Sequence, residues 1–236
     1  MCGRYTLATP SPAVVRERFR LGNEVPVERR FNIAPGQDVV AVTTDREGVP
    51  RGDLLHWGLV PHWADSPKLG YRMINARAES VAQRPAFRDA FERRRCLIAA
   101  DGFYEWQPRV HIPKQPWWIT RADGAPFAFA GLWASWRPAP DVEPLRTCSI
   151  ITTDASAVLR DIHPRMPVIL EAADEGAWLD HDTPPADLHA LLRPLPPAET
   201  ARRAVSRAVN DADHDAPDCI DPVEPERDEP PSQALF

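Results

Sequence analysis

The sequence predicts a single α+β domain that is rich in short strands, and three observations lead to this expectation. The 236 residues are enough to bury one substantial hydrophobic core. The 27 prolines favour short elements joined by structured turns over long helices. Strand-like and helix-like segments follow one another along the chain, and no internal repeat or linker divides them.

The first half of the chain predicts two helices and three strands. Ser11 and Pro12 supply an N-cap and a first helical position, which predicts a short helix over residues 13–19. Pro85 predicts the start of a second helix, AFRDAFERRR. Apolar and β-branched runs predict strands at residues 38–44, 52–61 and 96–106, the last of them leading into a polar turn.

The second half is again dominated by strands. Residues 116–133 are typical of a hairpin with Ala-Asp-Gly at its turn. Further strands are expected at residues 147–155, 166–170 and 202–209. Short helices are expected at residues 156–162, near 173–180 and at 186–193.

The charge is distributed unevenly along the chain. Residues 208–236 hold nine acidic residues and one arginine, a net charge of −8 within the total of −6, so the rest of the chain carries +2. We expect a folded domain over residues 1–222 and a disordered, acidic, proline-rich tail over residues 223–236. Most of the basic charge is arginine, which suits phosphate recognition but is equally typical of a solvated surface.

The sequence indicates a cytoplasmic protein without a metal or cofactor. No apolar run approaches the roughly 18–20 residues that cross a bilayer, and the start lacks the pattern of a signal peptide. The four cysteines are far apart and form no C-x-x-C pair, so neither a disulfide framework nor a zinc site is expected. Cys96 and Cys148 lie in apolar runs and are interpreted as buried packing residues.

Cys2 directly follows the initiator methionine. If Met1 is removed, as commonly happens before a small residue, Cys2 carries a free α-amine and a thiol on adjacent carbons. An internal cysteine cannot offer this pair, because its nitrogen belongs to an amide. The alternative interpretation is a small residue near a frayed chain end.

Three further residues complete an inventory of reactive groups. Asn75 can orient a hydroxyl, Glu105 is a candidate general acid or base, and His163 is a candidate proton-transfer group. Each also has a structural interpretation. Asn75 is a common turn or cap residue, Glu105 could point outward from a strand, and His163 could cap the helix before Pro164.

Longer motifs make the pattern specific. They are MCGRYTL at the start, RFNIAPGQ (30–37), WGLVPHW (57–63), INARAES (74–80), RCLIAADGFYEW (95–106), FAFAGLW (127–133), SIITTDA (149–155), HPRMPVIL (163–170) and VSRAVND (205–211). In this order, over residues 2–222, the chain resembles the SRAP (SOS response-associated peptidase) family. The resemblance implies a single SRAP-type domain in which short, mostly antiparallel strands form a barrel-like core with flanking short helices.

The resemblance also implies an activity. It implies a protein that binds single-stranded DNA, crosslinks covalently to abasic sites and shields them in the DNA damage response. We also expect a monomer that is associated with the nucleoid when bound to damaged DNA. An abasic site exists partly as an open-chain aldehyde. The Cys2 amine, with an ordinary pKa of about 7.7–8.0, can form an imine with it. The thiol can then close a five-membered thiazolidine ring on the same carbon.

Roles for single residues follow from the same resemblance. Asn75 is expected to hold the opened sugar, Glu105 to move protons, and His163 to assist opening of the sugar. The residues expected to contact DNA are Arg4, Arg77, Arg165, Trp63 and Trp106. For the two tryptophans the expected contact is stacking on an unpaired base, which contributes roughly 1–3 kcal/mol.

Three alternative functions remain open at this point. A terminal amine and thiol with Glu, His and Asn could support amide hydrolysis, including self-processing, although ordinary aminopeptidase trimming suffices to expose Cys2. The chain could instead bind single strands without a covalent bond. It could also act as a lyase that cleaves the strand by β-elimination through the imine.

Overall fold

Thirteen short strands carry the fold of the computed structural model, which describes residues 2–8, 11–45 and 47–228. Met1 and the predicted tail from residue 229 onward therefore lie outside the described residues. In chain order the strands are β1 (Tyr5–Leu7), β2 (Arg30–Ile33), β3 (Asp38–Thr44), β4 (Pro50–Trp57), β5 (Asn75–Arg77), β6 (Arg95–Ala100), β7 (Gly102–Gln107), β8 (Gln115–Arg121), β9 (Phe127–Trp136), β10 (Leu145–Asp154), β11 (Arg165–Pro167), β12 (Ile169–Leu170) and β13 (Thr200–Ala204).

Five of these strands close into a barrel. The hydrogen-bonded order is β10-β4-β3-β6-β9, and β9 pairs back onto β10. The predicted barrel-like core is therefore confirmed. All six residues of β6 are buried, as expected for a strand with both faces covered. The pairings are mostly antiparallel, but β10 runs parallel to β4 and to β5.

A second sheet packs beside the barrel in the order β13-β8-β7-β1-β2. The chain passes from the barrel to this sheet at Asp101. The single strand predicted over residues 96–106 is therefore wrong, because it is two strands in two sheets. Asp101 causes the break by donating its N–H to the Thr6 carbonyl (3.0 Å), while its carboxylate accepts the Thr6 hydroxyl (2.6 Å).

The hairpin predicted over residues 116–133 is also wrong. Its turn forms as expected, with Gly124 at a φ of 70° and its N–H bonded to the Arg121 carbonyl at 3.1 Å. Beyond the turn the strands separate. β8 pairs with β7 and β13, whereas β9 pairs with β6, β10 and β12.

The helices are short and flank the sheets. They are α1 (Pro12–Phe19), α2 (Arg88–Arg93), α3 (Glu175–Leu179) and α4 (Pro185–Ala190). The helix predicted after Ser11 and Pro12 is confirmed. Residues 156–162, in contrast, form turns, which leaves the helix predicted there wrong. Within the described ranges no helix has the length and apolar character needed to cross a bilayer.

The segment after β13 folds back onto the first two strands. Asn32 on β2 donates its side-chain amide to the carbonyls of Asp211 (2.8 Å) and His214 (2.7 Å). Asp215 accepts the backbone N–H groups of Phe31 (2.5 Å) and Asn32 (2.9 Å). One buried amide and one carboxylate thus fasten residues 209–215 to β2.

The described beginning of the predicted tail contacts β13, the segment that follows it, and the loop between β7 and β8. Val223 donates its N–H to the Ala204 carbonyl, and Glu226 pairs with Arg207 at 3.1 Å. The Asp228 carboxylate accepts the N–H groups of Val110 (2.7 Å) and His111 (2.8 Å). Residues 223–226 therefore pack against residues 204–207, and Asp228 reaches the β7–β8 loop.

Candidate active site

Cys2 lies at the junction of the two sheets. The antiparallel register of β1 and β7 pairs Tyr5 with Phe103, and the Tyr104 N–H donates to the Arg4 carbonyl. Glu105 follows Tyr104 on β7, and its charge acts on the Cys2 thiol, so the two side chains are neighbours. The Cys2 thiol is fully buried and 3.7 Å from the Arg4 carbonyl.

Burial controls the protonation of the Cys2 thiol. Loss of solvation raises its pKa strongly, and the nearby charge of Glu105 raises it further. The thiol is therefore held with its proton at neutral pH. It can attack an electrophile only if a neighbouring base takes that proton as the new bond forms.

Glu105 is the carboxyl whose charge acts on this thiol. Its side chain is only 5% exposed. Burial raises the pKa of its carboxyl from the usual 4.5 to about 7, against a smaller lowering by positive charges that include Lys114. Near neutral pH both the acid and the carboxylate are populated, so one group can donate a proton in one step and accept one in the next.

Asn75 connects the barrel to the N-terminal segment. It begins β5, which the parallel register places beside β10, with Asn75 opposite Ile150. Its side-chain N–H donates to the Cys2 carbonyl at 2.8 Å. Its amide oxygen is buried, and among the described residues it has no hydrogen-bond partner. The amide N–H of Asn75 thus fixes Cys2, and its amide oxygen is available to accept a hydrogen bond.

His163 immediately precedes β11. Its Nδ1 lies 3.0 Å from both the backbone nitrogen and the carbonyl oxygen of Arg165, so it accepts from the first or donates to the second depending on the tautomer. Burial lowers its pKa below 6.5, opposed by its bond to Arg165 and assisted by the positive charge of Lys114. The imidazole is therefore neutral at pH 7, which favours a proton-accepting role.

Two predicted DNA-binding arginines lie on strands that flank β10. Arg77 on β5 is opposite Thr152 and exposed. Arg165 on β11 is opposite Asp154 and is engaged by acidic partners. Its guanidinium donates to both carboxylate oxygens of Glu79 (2.6 and 3.1 Å) and to Asp154 (3.1 Å). Arg165 is therefore positioned and partly neutralised before any ligand binds.

Arg4 and Trp106 belong to one cluster beside Cys2. Arg4 donates to the Asn32 side-chain oxygen (2.8 Å) and to the Val209 carbonyl (2.9 Å). Its guanidinium lies 6.0 Å from the Trp106 ring centre. Trp106 in turn donates its ring N–H to the Asn210 side chain at 2.7 Å. The returning C-terminal segment thus fixes both residues.

Trp63 occupies a different position. Its side chain is 51% exposed on the wall of a surface groove of about 370 Å³, which Lys68 and Arg72 also line. Among the described residues, no hydrogen bond links Trp63 to the other predicted site residues. An exposed indole beside two cations remains suited to stacking on a base.

Several residues that fix this site were not singled out by the sequence analysis. Asn32 and Asn210 hold Arg4 and Trp106, while Glu79 and Asp154 hold Arg165. All four lie inside motifs quoted above (30–37, 74–80, 149–155 and 205–211), but a motif does not reveal which side chains its polar residues contact. Lys114 was overlooked as well, although it is one of only two lysines.

Comparisons with known proteins agree on one family. The family model described as "SOS response associated peptidase (SRAP)" matches residues 1–212. The chain is 39% identical over 228 residues to the abasic site processing protein YoqW of Bacillus subtilis, covering 94% of this chain and 99% of the relative. It is 28% identical to the abasic site processing protein YedK of Escherichia coli, with 94% and 100% covered.

A solved structure matches the fold as well. The crystal structure of a protein from Bacteroides thetaiotaomicron superposes with a TM-score of 0.84 at 21% identity, covering 94% of this chain and all of the other. At this identity the likeness concerns the fold alone.

Proposed function

The chain belongs to the SOS response associated peptidase (SRAP) family, and from this membership we propose that it processes abasic sites in single-stranded DNA by forming a covalent crosslink through Cys2. Relatives that match over nearly their whole length are named abasic site processing proteins. The observation that carries the proposal is the contact set of Cys2: Asn75 holds its carbonyl, and the buried carboxyl of Glu105 interacts with its thiol.

The first step requires Cys2 to be the first residue of the mature chain. Its α-amine adds to the aldehyde carbon C1′ of the opened abasic sugar and gives a carbinolamine. Protonated Glu105 then donates a proton to the departing hydroxyl, which leaves as water, and an iminium forms. The free amide oxygen of Asn75 accepts a hydrogen bond from the amine or from a sugar hydroxyl.

The second step closes the ring. The Glu105 carboxylate left by the first step takes the thiol proton as Sγ bonds to C1′, and the C=N double bond becomes a single bond. The product is a five-membered thiazolidine, and the overall reaction releases one water. Neutral His163 acts earlier, as the base that accepts the hydroxyl proton when the closed sugar opens to the aldehyde.

A denaturing gel tests this proposal directly. The protein, shown by intact mass to begin at Cys2, is mixed with a single-stranded oligonucleotide that carries one abasic site. We expect a heat-stable band whose mass equals the two components minus one water. The same strand without damage, and one with a tetrahydrofuran analogue that has no aldehyde, serve as controls and are expected to give no band. Absence of the band with the abasic strand would contradict the proposal.

Replacing Arg77 should weaken non-covalent DNA binding in a salt-dependent way. With the unreactive tetrahydrofuran strand, we expect Arg77→Ala to lower affinity and to reduce the slope of log K against log salt by about 0.7, the value of one lost phosphate contact. Fluorescence anisotropy at several salt concentrations measures both quantities. Arg93→Ala, which removes an exposed arginine from α2, is the matched control. An unchanged slope would exclude Arg77 as a phosphate ligand.

Replacing Glu79 should have the opposite effect on affinity. Glu79→Gln removes a negative charge that competes with phosphate for Arg165 while retaining a hydrogen-bonding side chain. Because exposed ion pairs contribute about 0.2–1 kcal/mol, we expect binding to strengthen by up to about fivefold at low salt. The same anisotropy assay measures this, with Glu92→Gln on α2 as control. Weaker binding would mean that Glu79 mainly orients Arg165.

A further inference from the structure

We propose that His214, Asp218 and Cys219 form a binding site for a zinc-type divalent cation, on the segment that folds back onto β2. One ligand atom from each residue lies within 4.8 Å of the other two. The three donors are an imidazole nitrogen, a carboxylate oxygen and a sulfur, a set that suits a borderline-soft metal ion and not Mg²⁺ or Ca²⁺.

Two of the side chains already contact each other, and the thiol contacts the backbone of the first. His214 Nε2 lies 2.8 Å from an Asp218 carboxylate oxygen, and the Cys219 thiol donates to the His214 carbonyl at 3.4 Å. Zinc bonds of 2.0–2.3 Å separate neighbouring donors by about 3.5 Å in a tetrahedron. The side chains of His214 and Asp218 are 37% and 53% exposed, so both can rotate the remaining distance without disturbing the core.

The backbone around the site is fixed independently of any metal. The His214 carbonyl accepts the Asn32 amide, and Asp215 accepts two backbone N–H groups of β2. Cys219 is fully buried at the end of a 3₁₀ turn, Pro217–Ile220. A pre-fixed backbone lowers the ordering cost of binding. The fourth tetrahedral position would be left to water.

The local charge favours a cation. Within residues 211–221 the chain carries five aspartates and neither lysine nor arginine. The opposing charges are Arg30, which pairs with Asp215, and Arg4, which interacts electrostatically with Cys219. Binding exchanges the thiol proton for the metal ion, so affinity should rise with pH. Sequence inspection missed the site because it searched for paired cysteines, whereas this pattern is His-x₃-Asp-Cys with a single thiol.

A bound ion would brace the neighbouring residues of the candidate active site. Val209, which accepts a hydrogen bond from Arg4, is joined to His214 through the side-chain amide of Asn32, and the next residue, Asn210, holds Trp106. The proposal itself does not depend on abasic-site chemistry, because metal binding is measured without DNA.

Cobalt(II) titration of the full chain tests the site. We expect one equivalent to bind with a thiolate-to-cobalt charge-transfer band in the near ultraviolet, and zinc to displace it. His214→Gln and Asp218→Asn should each weaken binding at least tenfold, and Cys219→Ser should remove the band. Cys2→Ala, which removes the thiol of the candidate active site, should leave the band intact.

Two results would overturn this assignment. One is a charge-transfer band that disappears in Cys2→Ala but persists in Cys219→Ser, which would place the ion at the other thiol. The other is the absence of stoichiometric binding by wild-type protein. If Cys219→Ser fails to fold, the site is tested with His214→Gln and Asp218→Asn, which replace partly exposed side chains. A zinc-induced rise of Tm in wild type that is lost in His214→Gln would then support the site, and an equal rise in both would refute it.

Discussion

Cys2→Ala is expected to lose the heat-stable crosslink completely while retaining the ability to form an imine. The variant keeps an N-terminal α-amine, so condensation with the aldehyde can proceed, but it has no sulfur to close the ring. We expect the stable adduct to fall at least 100-fold, to background. Borohydride should still trap a reducible adduct, because it converts the imine to an amine.

Two companion proteins make this test specific to the aminothiol. Cys2→Ser retains a weaker nucleophile on the same carbon and should form a slower, less stable adduct. Wild-type protein that retains Met1, made in a host lacking the aminopeptidase, should be unreactive because the nitrogen is then an amide. Stable crosslinking by Cys2→Ala at the wild-type level would rule out the thiazolidine.

Glu105→Gln is expected to slow crosslinking and, in the opposite direction, to stabilise the fold. General acid–base catalysis typically contributes 10²–10⁴-fold, so we expect a rate loss on the order of 100-fold or more with almost unchanged affinity for the tetrahydrofuran strand. Single-turnover crosslinking on gels and anisotropy measure the two quantities. An equal loss of both would indicate a structural role.

The stability effect of Glu105→Gln depends on pH in a defined way. Because burial raises the Glu105 pKa from 4.5 to about 7, the folded state holds a proton in this interval that the unfolded state has released. The titration of Glu105 therefore lowers wild-type stability as pH rises from 4.5 to 7, by on the order of 3 kcal/mol. The glutamine variant avoids this loss. Denaturant unfolding should show it to be more stable than wild type at pH 8, with that advantage absent at pH 4.

Local sequence patterns predicted individual elements better than their assembly. Strand β3 matches residues 38–44, and α1 begins where Ser11 and Pro12 indicate, because caps, prolines and β-branched runs act within a few residues. The turn at Gly124 was also predictable. That β8 and β9 then join different sheets was not, because the choice of sheet is made by distant partners such as β13 and β10.

In the candidate site, too, the individual residues were easier to predict than the contacts between them. The motifs identify Cys2, Asn75 and Glu105, and the resemblance to a family assigns their roles. The partners that hold the arginines could not be predicted, because Arg165 and Glu79 are 86 residues apart and Arg4 and Val209 are 205 apart. Such contacts leave no periodicity or spacing that a single sequence displays.

The docking of residues 209–215 onto β2 has a consequence for biosynthesis. These residues leave the ribosome after every strand of the barrel, yet they hold Arg4 and Trp106 in place. During translation, the N-terminal segment and Asn75 are therefore available before Asn210 has emerged. Under the proposed mechanism, a nascent chain trimmed to Cys2 would expose its terminal amine and thiol before the surrounding pocket is complete.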